Sequence, residues 1–323
     1  HAAARGVQVN VTVDGFGARN FASDFLPRLT AAGVRALQYR PEIGTWHLKR
    51  HRLRRLHRKL TVVDARVAFV GGINVVDDHN APEDMRPRFD YAVRVEGPVL
   101  RQIHHAVRRM WEIVSWANFK RRFRLGPAVQ PCCDSAGDQL AAFLIRDNIR
   151  HRNDILNAYL RAINSAEHEI VIANAYFLPG FRFGRALYAA AQRGVKIIVL
   201  LQGKTDHPML RYATHTLYGE ALNKGIRIFE YEKSFMHAKV AVIDRRWATV
   251  GSSNIDPFSL LLAKEANLVV DDPDFAGQLR DSLQQAMDTG AREVLPEELT
   301  RLSWPARLGR WLSYGLVRMM VGI

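Results

Sequence analysis

The sequence contains only two cysteines, and these two, Cys132 and Cys133, are adjacent. Neighbouring cysteines rarely satisfy disulfide geometry, and two thiols cannot build a disulfide framework or a four-cysteine zinc site. A reducing compartment therefore fits the chain best. The sequence also lacks a signal-peptide pattern and an uncharged apolar run of about 18 residues, so no segment is predicted to span a membrane.

Acidic residues are scarce relative to basic ones. The chain has 32 Asp and Glu against 46 Lys and Arg, which gives a formal net charge of +14 over 323 residues. This excess predicts an anionic partner, either phospholipid or nucleic acid, with a solvated basic surface as the alternative. No cluster of acidic residues has the spacing of metal ligands, so we expect no metal and no other cofactor.

A phrase of eighteen residues occurs twice. His57, Lys59, Asp64 and Asn74 recur as His237, Lys239, Asp244 and Asn254, each 180 positions later. Nine of the eighteen positions are identical in the two copies. A single His-x-Lys carries no information, because an isolated histidine is more often a hydrogen-bonded core residue. The duplication indicates that half of one active site lies in each half of the chain.

The similarity extends outward from the two phrases. Residues 5–15 parallel residues 193–203, and residues 33–39 parallel residues 225–231. In each case a glycine that ends a helix is followed by a β-branched run of strand length. Each half is therefore predicted to form β-α-β followed by the motif hairpin, an α/β arrangement.

The predicted boundaries follow from composition. We expect a first half at residues 1–125 and a second half at residues 138–295. A linker at residues 126–137 is rich in Pro, Gly and Ser. A basic amphipathic helix is expected at residues 296–323.

The halves differ in two places. Eighteen positions separate Tyr39 from His57, whereas six separate Tyr231 from His237, so only the first half carries a basic insert. The second half has a predicted helix and strand, residues 155–162 and 169–175, before its first shared strand. We expect that about 34 residues with the matching strand and helix precede this sequence in the natural protein. A parallel-type sheet without that strand is poorly covered, and we expect the chain alone to be unstable.

The spacing of the motif suits phosphodiester chemistry. Residues i and i+2 of a strand point to one side, so each His and its Lys face one pocket. A lysine neutralises the non-bridging oxygens, and an imidazole attacks phosphorus or passes a proton. Asp64 and Asp244, counted with the catalytic motif, lie at the following turn and support the site structurally more than they act chemically. Asn74 and Asn254 follow glycine-rich turns that let the backbone approach a phosphate, with a plain turn role as the alternative.

These motifs resemble those of the phospholipase D superfamily. Residues 251–259, 174–179 and 90–98 resemble the bacterial cardiolipin synthases that lack transmembrane helices. The resemblance implies two pseudo-symmetric halves, each a mixed sheet flanked by helices, with the active site at their interface. It also implies a phosphohistidine, with His57 as the nucleophile and His237 as the acid and base. Asp90 and Glu265 are implied to orient the histidines. The family often has Asn two residues before that Glu, and this chain departs from the pattern with Ala263.

The choice between membrane and nucleic acid depends on two basic segments. The insert contains Arg50, Arg52, Arg54 and Arg55, which suit phospholipid head groups or DNA phosphates. From Trp304, apolar residues that include Trp311 recur at helical spacing, and arginines fall on another face, a pattern typical of an interfacial membrane helix. A helix packed on the core is the alternative. Aromatic residues do not interleave with the insert, which disfavours nucleic acid.

We therefore predict an enzyme that makes cardiolipin from anionic phospholipids by phosphatidyl transfer. Phosphatidylglycerol is the expected substrate, and phosphatidylethanolamine is a second candidate. The enzyme is expected at the cytoplasmic face of the bacterial membrane, bound peripherally. A phospholipase D hydrolase, a metal-independent nuclease of the same superfamily and a non-catalytic membrane-binding protein are the alternatives.

Overall fold

The computed structural model describes residues 1–18, 20–40, 55–81, 83–119, 123, 125–127, 129–204, 208–300, 312 and 315. The strands are β1 (Asn10–Asp14), β2 (Arg35–Tyr39), β3 (Lys59–Val63), β4 (Val67–Gly71), β5 (Ala92–Val95), β6 (Leu140–Arg146), β7 (Glu169–Asn174), β8 (Lys196–Gln202), β9 (Arg227–Tyr231), β10 (Lys239–Ile243), β11 (Trp247–Gly251), β12 (Glu265–Asp271) and β13 (Ala291–Glu293). The helices are α1 (Leu26–Ala31), α2 (Leu100–Ala117), α3 (Asp154–Ser165), α4 (Phe181–Gln192), α5 (Pro208–Asn223), α6 (Pro257–Leu261), α7 (Pro273–Gly290) and α8 (Pro296–Thr300). The predicted helix and strand before residue 193 are confirmed as α3 and β7.

The second half is built on a mixed sheet with the order β13-β9-β8-β7-β10-β11-β12-β6. Its centre, β7, β8 and β9, is parallel, and the remaining pairs are antiparallel. β8 is a continuous apolar run with buried side chains on both faces, as expected for a covered parallel strand. Helices α3 and α4 cover one face of this sheet, and α7 covers the other.

The first half repeats the same connections in two smaller sheets. β1 and β2 pair in parallel, as β8 and β9 do, and β3, β4 and β5 form an antiparallel sheet that matches β10, β11 and β12. In the second half β7 lies between β8 and β10, whereas no described strand joins β1 to β3. Val75 is correspondingly exposed, while its counterpart Ile255 is buried against Phe177.

Apolar side chains join the two halves in more than one place, since Phe89 and Tyr91 of the first half pack against a cluster of the second half. To another cluster, β4, β5 and α2 contribute Val70, Val95 and Leu100, which contact Phe143 of β6 and Leu268 of β12. This contact places the start of β12 beside the segment that enters β3, where Leu56 forms an isolated bridge with Lys264. The packing of the halves thus sets the distance between the two motifs.

The predicted linker, residues 126–137, contains no helix or strand among its described positions. Cys132 and Cys133 lie here as free thiols. In the described part of the chain, no helix is both long and apolar enough to span a bilayer.

Candidate active site

The two motif histidines lie where their chain segments meet the opposite half. The backbone N–H of His57 donates to the carbonyl of Lys264 at 2.9 Å, and that of His237 donates to the carbonyl of Phe89 at 2.7 Å. Each segment then continues as a strand, β3 from Lys59 and β10 from Lys239. Histidine and lysine, two residues apart on an extended segment, point to the same side.

Each histidine binds a carboxylate from the other half. Nδ1 of His57 lies 3.0 Å from Oε1 of Glu265, and Nδ1 of His237 lies 2.7 Å from Oδ2 of Asp90. A carboxylate at Nδ1 favours the tautomer with its proton there, which leaves the Nε2 lone pair for reaction. The acidic partners implied by the family resemblance are therefore in contact, and the pairing is crosswise between the halves.

The carboxylates are themselves held in different ways. The hydroxyl of Ser252 donates to Oε2 of the fully buried Glu265 at 2.5 Å. Asp90 accepts the backbone N–H of Tyr91 at 2.8 Å. Gly72 occupies the position equivalent to Ser252, and a Cβ at Gly72 would lie 2.3 Å from Oδ1 of Asp90. The glycine therefore leaves the room that Asp90 needs.

Two lysines, the half-buried Lys59 and the fully buried Lys239, supply the positive charge of the site. Nζ of Lys59 donates to the carbonyl of His57 at 2.9 Å, and the ammonium of Lys239 donates to the carbonyl of His237. Nζ of Lys239 also lies 3.8 Å from Oδ2 of Asp90. Burial lowers the pKa of Lys59 to about 7 and that of Lys239 to about 8. The neighbouring Lys239 also lowers the pKa of Lys59, whereas the carboxylates of Asp90 and Glu265 oppose the shift in both lysines.

Both histidines have lowered pKa values. Burial is the main cause, and it lowers the pKa of His237 to about 3 with help from the adjacent Lys239. Burial also lowers the pKa of His57, against the opposing effect of Glu265. Both imidazoles are therefore neutral near pH 7, the form in which Nε2 is a nucleophile or a base.

The motif aspartates lie at the far ends of the motif strands. Asp244 adopts a left-handed turn conformation and accepts three backbone N–H groups, from Glu167, His168 and Glu169, each at 2.8 Å. Asp64 has the same backbone conformation and is exposed. The structure does not bring either carboxylate to the histidines. Each motif strand of five residues begins at the lysine and ends just before the aspartate, so the aspartate lies at the opposite end of the strand. The three hydrogen bonds favour a structural role for Asp244, and the place of both aspartates in the catalytic motif stays a prediction.

The motif asparagines differ in burial. Asn254 is buried, and its Oδ1 has no hydrogen-bond partner among the described residues. Asn74 is half-buried. The predicted phosphate-binding role of both residues stays a prediction.

Three site residues were missed in the sequence. Ser252 binds Glu265, and the amide oxygen of Asn174, opposite Lys239 in the sheet, accepts the N–H of Ile255 at 3.1 Å. Asp256 caps the N-terminus of α6, and burial raises its pKa to about 6. The Gly-Ser-Ser-Asn run was a signal for Ser252, and an Asp before a Pro at a helix start was a signal for the Asp256 cap. The Asn174 contact joins residues that are distant in sequence.

Of the predicted membrane-binding residues, only Arg55 is described. Its Nε donates to Oδ2 of Asp14 at 3.0 Å, and its guanidinium lies 4.4 Å from the ring centroid of Phe16. Arg50, Arg52, Arg54, Trp304 and Trp311 lie outside the described residues. In the part of the chain that is described, no three His, Cys, Asp or Glu side chains form a group that could hold a metal ion.

Comparison with known proteins identifies the family. A family model described as the PLD-like domain of cardiolipin synthase matches residues 159–287. Cardiolipin synthase B of Escherichia coli (strain K12) is 38% identical over 94% of this chain and 73% of its own length. The chain belongs to the cardiolipin synthase family. Cardiolipin synthase A of Pseudomonas putida (strain W619) is 30% identical over 95% of this chain and 62% of its own length.

Solved structures show that the fold is shared more widely than the family. The crystal structure of phosphatidylserine synthase from Haemophilus influenzae Rd KW20 has a TM-score of 0.67 at 11% identity and covers 98% of this chain and 91% of that one. Polyphosphate kinase from Porphyromonas gingivalis has a TM-score of 0.56 at 15% identity and covers 98% of this chain and 46% of that one. The predicted α/β fold of two phospholipase D-like halves is confirmed, as is the resemblance to cardiolipin synthases.

Proposed function

We propose that this cardiolipin synthase family member is a phosphatidyltransferase that joins two molecules of phosphatidylglycerol. The observation that carries the proposal is the pair of crosswise His–carboxylate contacts beside the two motif lysines. Two oriented imidazoles permit a two-step displacement at phosphorus, and two ammonium groups compensate the charge of the phosphodiester.

In the first step, Nε2 of His57 attacks the phosphorus of the donor lipid. A P–N bond forms, and the P–O bond to the head-group glycerol breaks. His237 gives its proton to the departing glycerol oxygen. Because burial lowers the pKa of His237 to about 3, the bound phosphodiester must raise that pKa, as a nearby anion does.

In the second step, His237 takes the proton of a hydroxyl on a second phosphatidylglycerol. That oxygen attacks phosphorus, the P–N bond to His57 breaks, and cardiolipin is released. The neutral resting state of His237 suits this role as a base. Water in place of the second lipid would give phosphatidic acid, so the same residues would support a phospholipase D hydrolase.

The membrane surface is the proposed location of the reaction. The net charge of +14 favours anionic lipid, with phosphatidylethanolamine as a second candidate substrate. Arg50, Arg52, Arg54, Arg55, Trp304 and Trp311 are the proposed contacts for peripheral binding at the cytoplasmic face of a bacterial membrane. Binding to these lipids is expected to weaken as the salt concentration rises.

The test is incubation with vesicles of labelled phosphatidylglycerol. We expect free glycerol and cardiolipin in equal amounts. His57→Ala should abolish both products and His237→Ala should abolish cardiolipin and all glycerol beyond a single turnover, while Asp24→Ala, an exposed carboxylate outside the site, should leave them unchanged. Release of phosphatidic acid alone would replace the transferase with a hydrolase, and salt-sensitive cleavage of DNA without lipid turnover would replace it with a nuclease.

A second measurement tests the roles of the two histidines. With His237→Ala, denatured protein from a brief incubation should carry the phosphatidyl label on His57. If His57→Ala traps the label on His237 and the converse variant traps none, the two roles are reversed.

A further inference from the structure

The residue before each motif histidine makes the same unusual contact in both halves. The backbone N–H of Leu56 donates to Oδ1 of Asp14 at 3.0 Å, and that of Met236 donates to Oε1 of Gln202 at 2.5 Å. Asp14 and Gln202 are the last residues of β1 and β8, which are equivalent strands of the repeat. Two different side chains thus place an acceptor oxygen at equivalent backbone amides of the two halves.

This contact completes the support of an extended segment. Successive N–H groups of an extended chain point to opposite sides. The N–H of each histidine points to the carboxylate-bearing segment of the other half, and the preceding N–H points to Asp14 or Gln202. Each histidine is therefore held by the opposite half on one side and by its own half on the other.

The local backbone places the two side chains in matching ways. Gly15 follows Asp14 and donates its N–H to the carbonyl of Tyr39 at 2.8 Å. Gly203 follows Gln202 and donates to the carbonyl of Tyr231 at 2.9 Å. A Cβ at Gly15 would lie 2.2 Å from the carbonyl oxygen of Arg40, so the close approach requires glycine.

We propose that Asp14 and Gln202 are positioning residues that fix His57 and His237, respectively, for in-line reaction at phosphorus. Neither side chain touches the reacting atoms. Each acts through the amide next to its histidine, so its loss moves the imidazole relative to the carboxylate and the phosphorus. A displacement of about 1 Å from reacting geometry can lower a rate about a hundredfold.

The two positioning residues differ in charge. The Asp14 carboxylate also accepts Nε of Arg55 and the N–H of Gly17, each at 3.0 Å. A Cβ at Gly17 would lie 2.7 Å from Nη2 of Arg55, so this glycine makes room for the guanidinium. The Gln202 amide instead donates to the carbonyl of Ser234 at 3.5 Å and to that of Lys204. The N–H of Leu56 therefore has a charged carboxylate as its acceptor, and the N–H of Met236 has a neutral amide.

The first test compares Asp14→Ala with Asp14→Asn in the full chain on phosphatidylglycerol vesicles. Asp14→Ala should lower kcat at least about tenfold with KM changed less than about twofold, because ground-state binding is retained. Asp14→Asn keeps an acceptor oxygen and should recover most of the rate. The N–H of Leu56 should exchange with deuterium faster in Asp14→Ala only. Asp24→Ala is the matched control.

The second test separates the two histidines with a phosphatidyl ester of p-nitrophenol. This leaving group needs no proton, so the burst of nitrophenolate reports attack by His57 alone. Gln202→Met, which keeps the side-chain length without the acceptor, should preserve the burst and slow the steady state. Asp14→Ala should slow the burst itself. Gln285→Ala, an exposed glutamine of α7, should change neither.

The proposal is overturned if Asp14→Ala and Gln202→Met lower the burst rate and the steady-state rate equally and Asp14→Asn recovers neither rate. These residues would then give structural support only. The proposal rests on the proposed function only for its substrate. If no cardiolipin forms but the Leu56 exchange contrast is found, the proposed function fails and the positioning contact stands. If cardiolipin forms but the N–H of Leu56 exchanges equally fast in Asp14→Ala and Asp14→Asn, the proposed function stands and the positioning proposal fails.

Discussion

Lys59 and Lys239 are the residues whose chemistry depends most on what occupies the site. Their pKa values are lowered to about 7 and about 8, mainly by burial, and the proximity of Lys239 adds to the shift of Lys59. An anion between them would relieve both effects, because it favours the protonated form. The lysines therefore couple the binding of a phosphodiester to the binding of protons.

Tungstate, an inert anion of phosphate shape, should bind with net uptake of protons at pH 8. Lys59 is largely neutral at that pH, and the bound anion raises its pKa above the pH of the solution. Calorimetry in buffers of different ionisation enthalpy measures the uptake. Lys59→Met should reduce it, and proton release by the intact chain would contradict the expected sign.

Glu265→Gln should lower kcat by about a hundredfold or more, because the amide no longer fixes the Nδ1–H tautomer or stabilises a cationic His57. Its effect is measured on the burst of nitrophenolate, which reports His57. Ser252→Ala removes only one hydrogen bond to that carboxylate and should have a smaller effect. Equal effects of the two substitutions would show that Glu265 acts through packing instead.

At the residue scale, the sequence predicted the two His–Lys pairs because the motif repeats. The crosswise partners were available only through the family resemblance, since Asp90 and Glu265 reach histidines in the other half. Asp64 and Asp244 belong to the same repeated phrase but lie away from the histidines. A motif spacing does not say which end of a strand faces the pocket.

At the element scale, the turns of the two motif hairpins differ in the hydrogen bonds that they make. The turn after β10 joins Asp244 to the start of β7 through three backbone hydrogen bonds. The turn after β3 has the same positive φ angles, but within the described part of the chain the Asp64 side chain makes no hydrogen bond. The same sequence feature is therefore expected to matter for stability in one half only.

Asp244→Ala should lower the free energy of unfolding by about 1–3 kcal/mol, because three backbone N–H groups lose a charged acceptor. Asp64→Ala, the matched control, should change it by less than about 0.5 kcal/mol. Urea unfolding measures both. The backbone N–H bonds also hold the pKa of Asp244 below its usual value despite the opposing effect of burial, so the difference between the variants should shrink as the pH falls through that pKa.

The repeat predicted most of the elements, because aligned β-branched runs and helix-ending glycines mark β1, β2, β8 and β9. It could not predict that the first half forms two separate sheets, which depends on pairing between distant strands. Nor could it reveal Asp14 and Gln202 as partners of the motif segments, because polar residues at strand ends are common. The division at residues 126–137 remains a prediction.

At the scale of the whole molecule, the charge balance makes stability depend on pH. Lys59 and Lys239 bind protons in the unfolded chain up to the ordinary lysine pKa of 10.5 but release them near 7 and 8 when folded. Between these values the unfolded state holds more protons, so stability rises with pH. Each lysine contributes a slope of at most about 1.4 kcal/mol per pH unit.

Thermal or urea unfolding between pH 7 and 10 should show this rise. The net charge of +14 declines over the same range and acts in the same direction, so the comparison with Lys59→Met is essential. That variant should be more stable at pH 7 and should show a shallower slope. An unchanged slope would assign the dependence to the general charge instead of Lys59.

The crosswise pairing of His57 with Glu265 and of His237 with Asp90 has a consequence during folding. Until the halves dock, each imidazole lacks the acceptor that orients it, and each lysine lacks the burial that tunes it. We therefore expect a partly folded chain to be inactive. Activity is expected to appear only when the two halves have docked, so its onset would report the completion of folding.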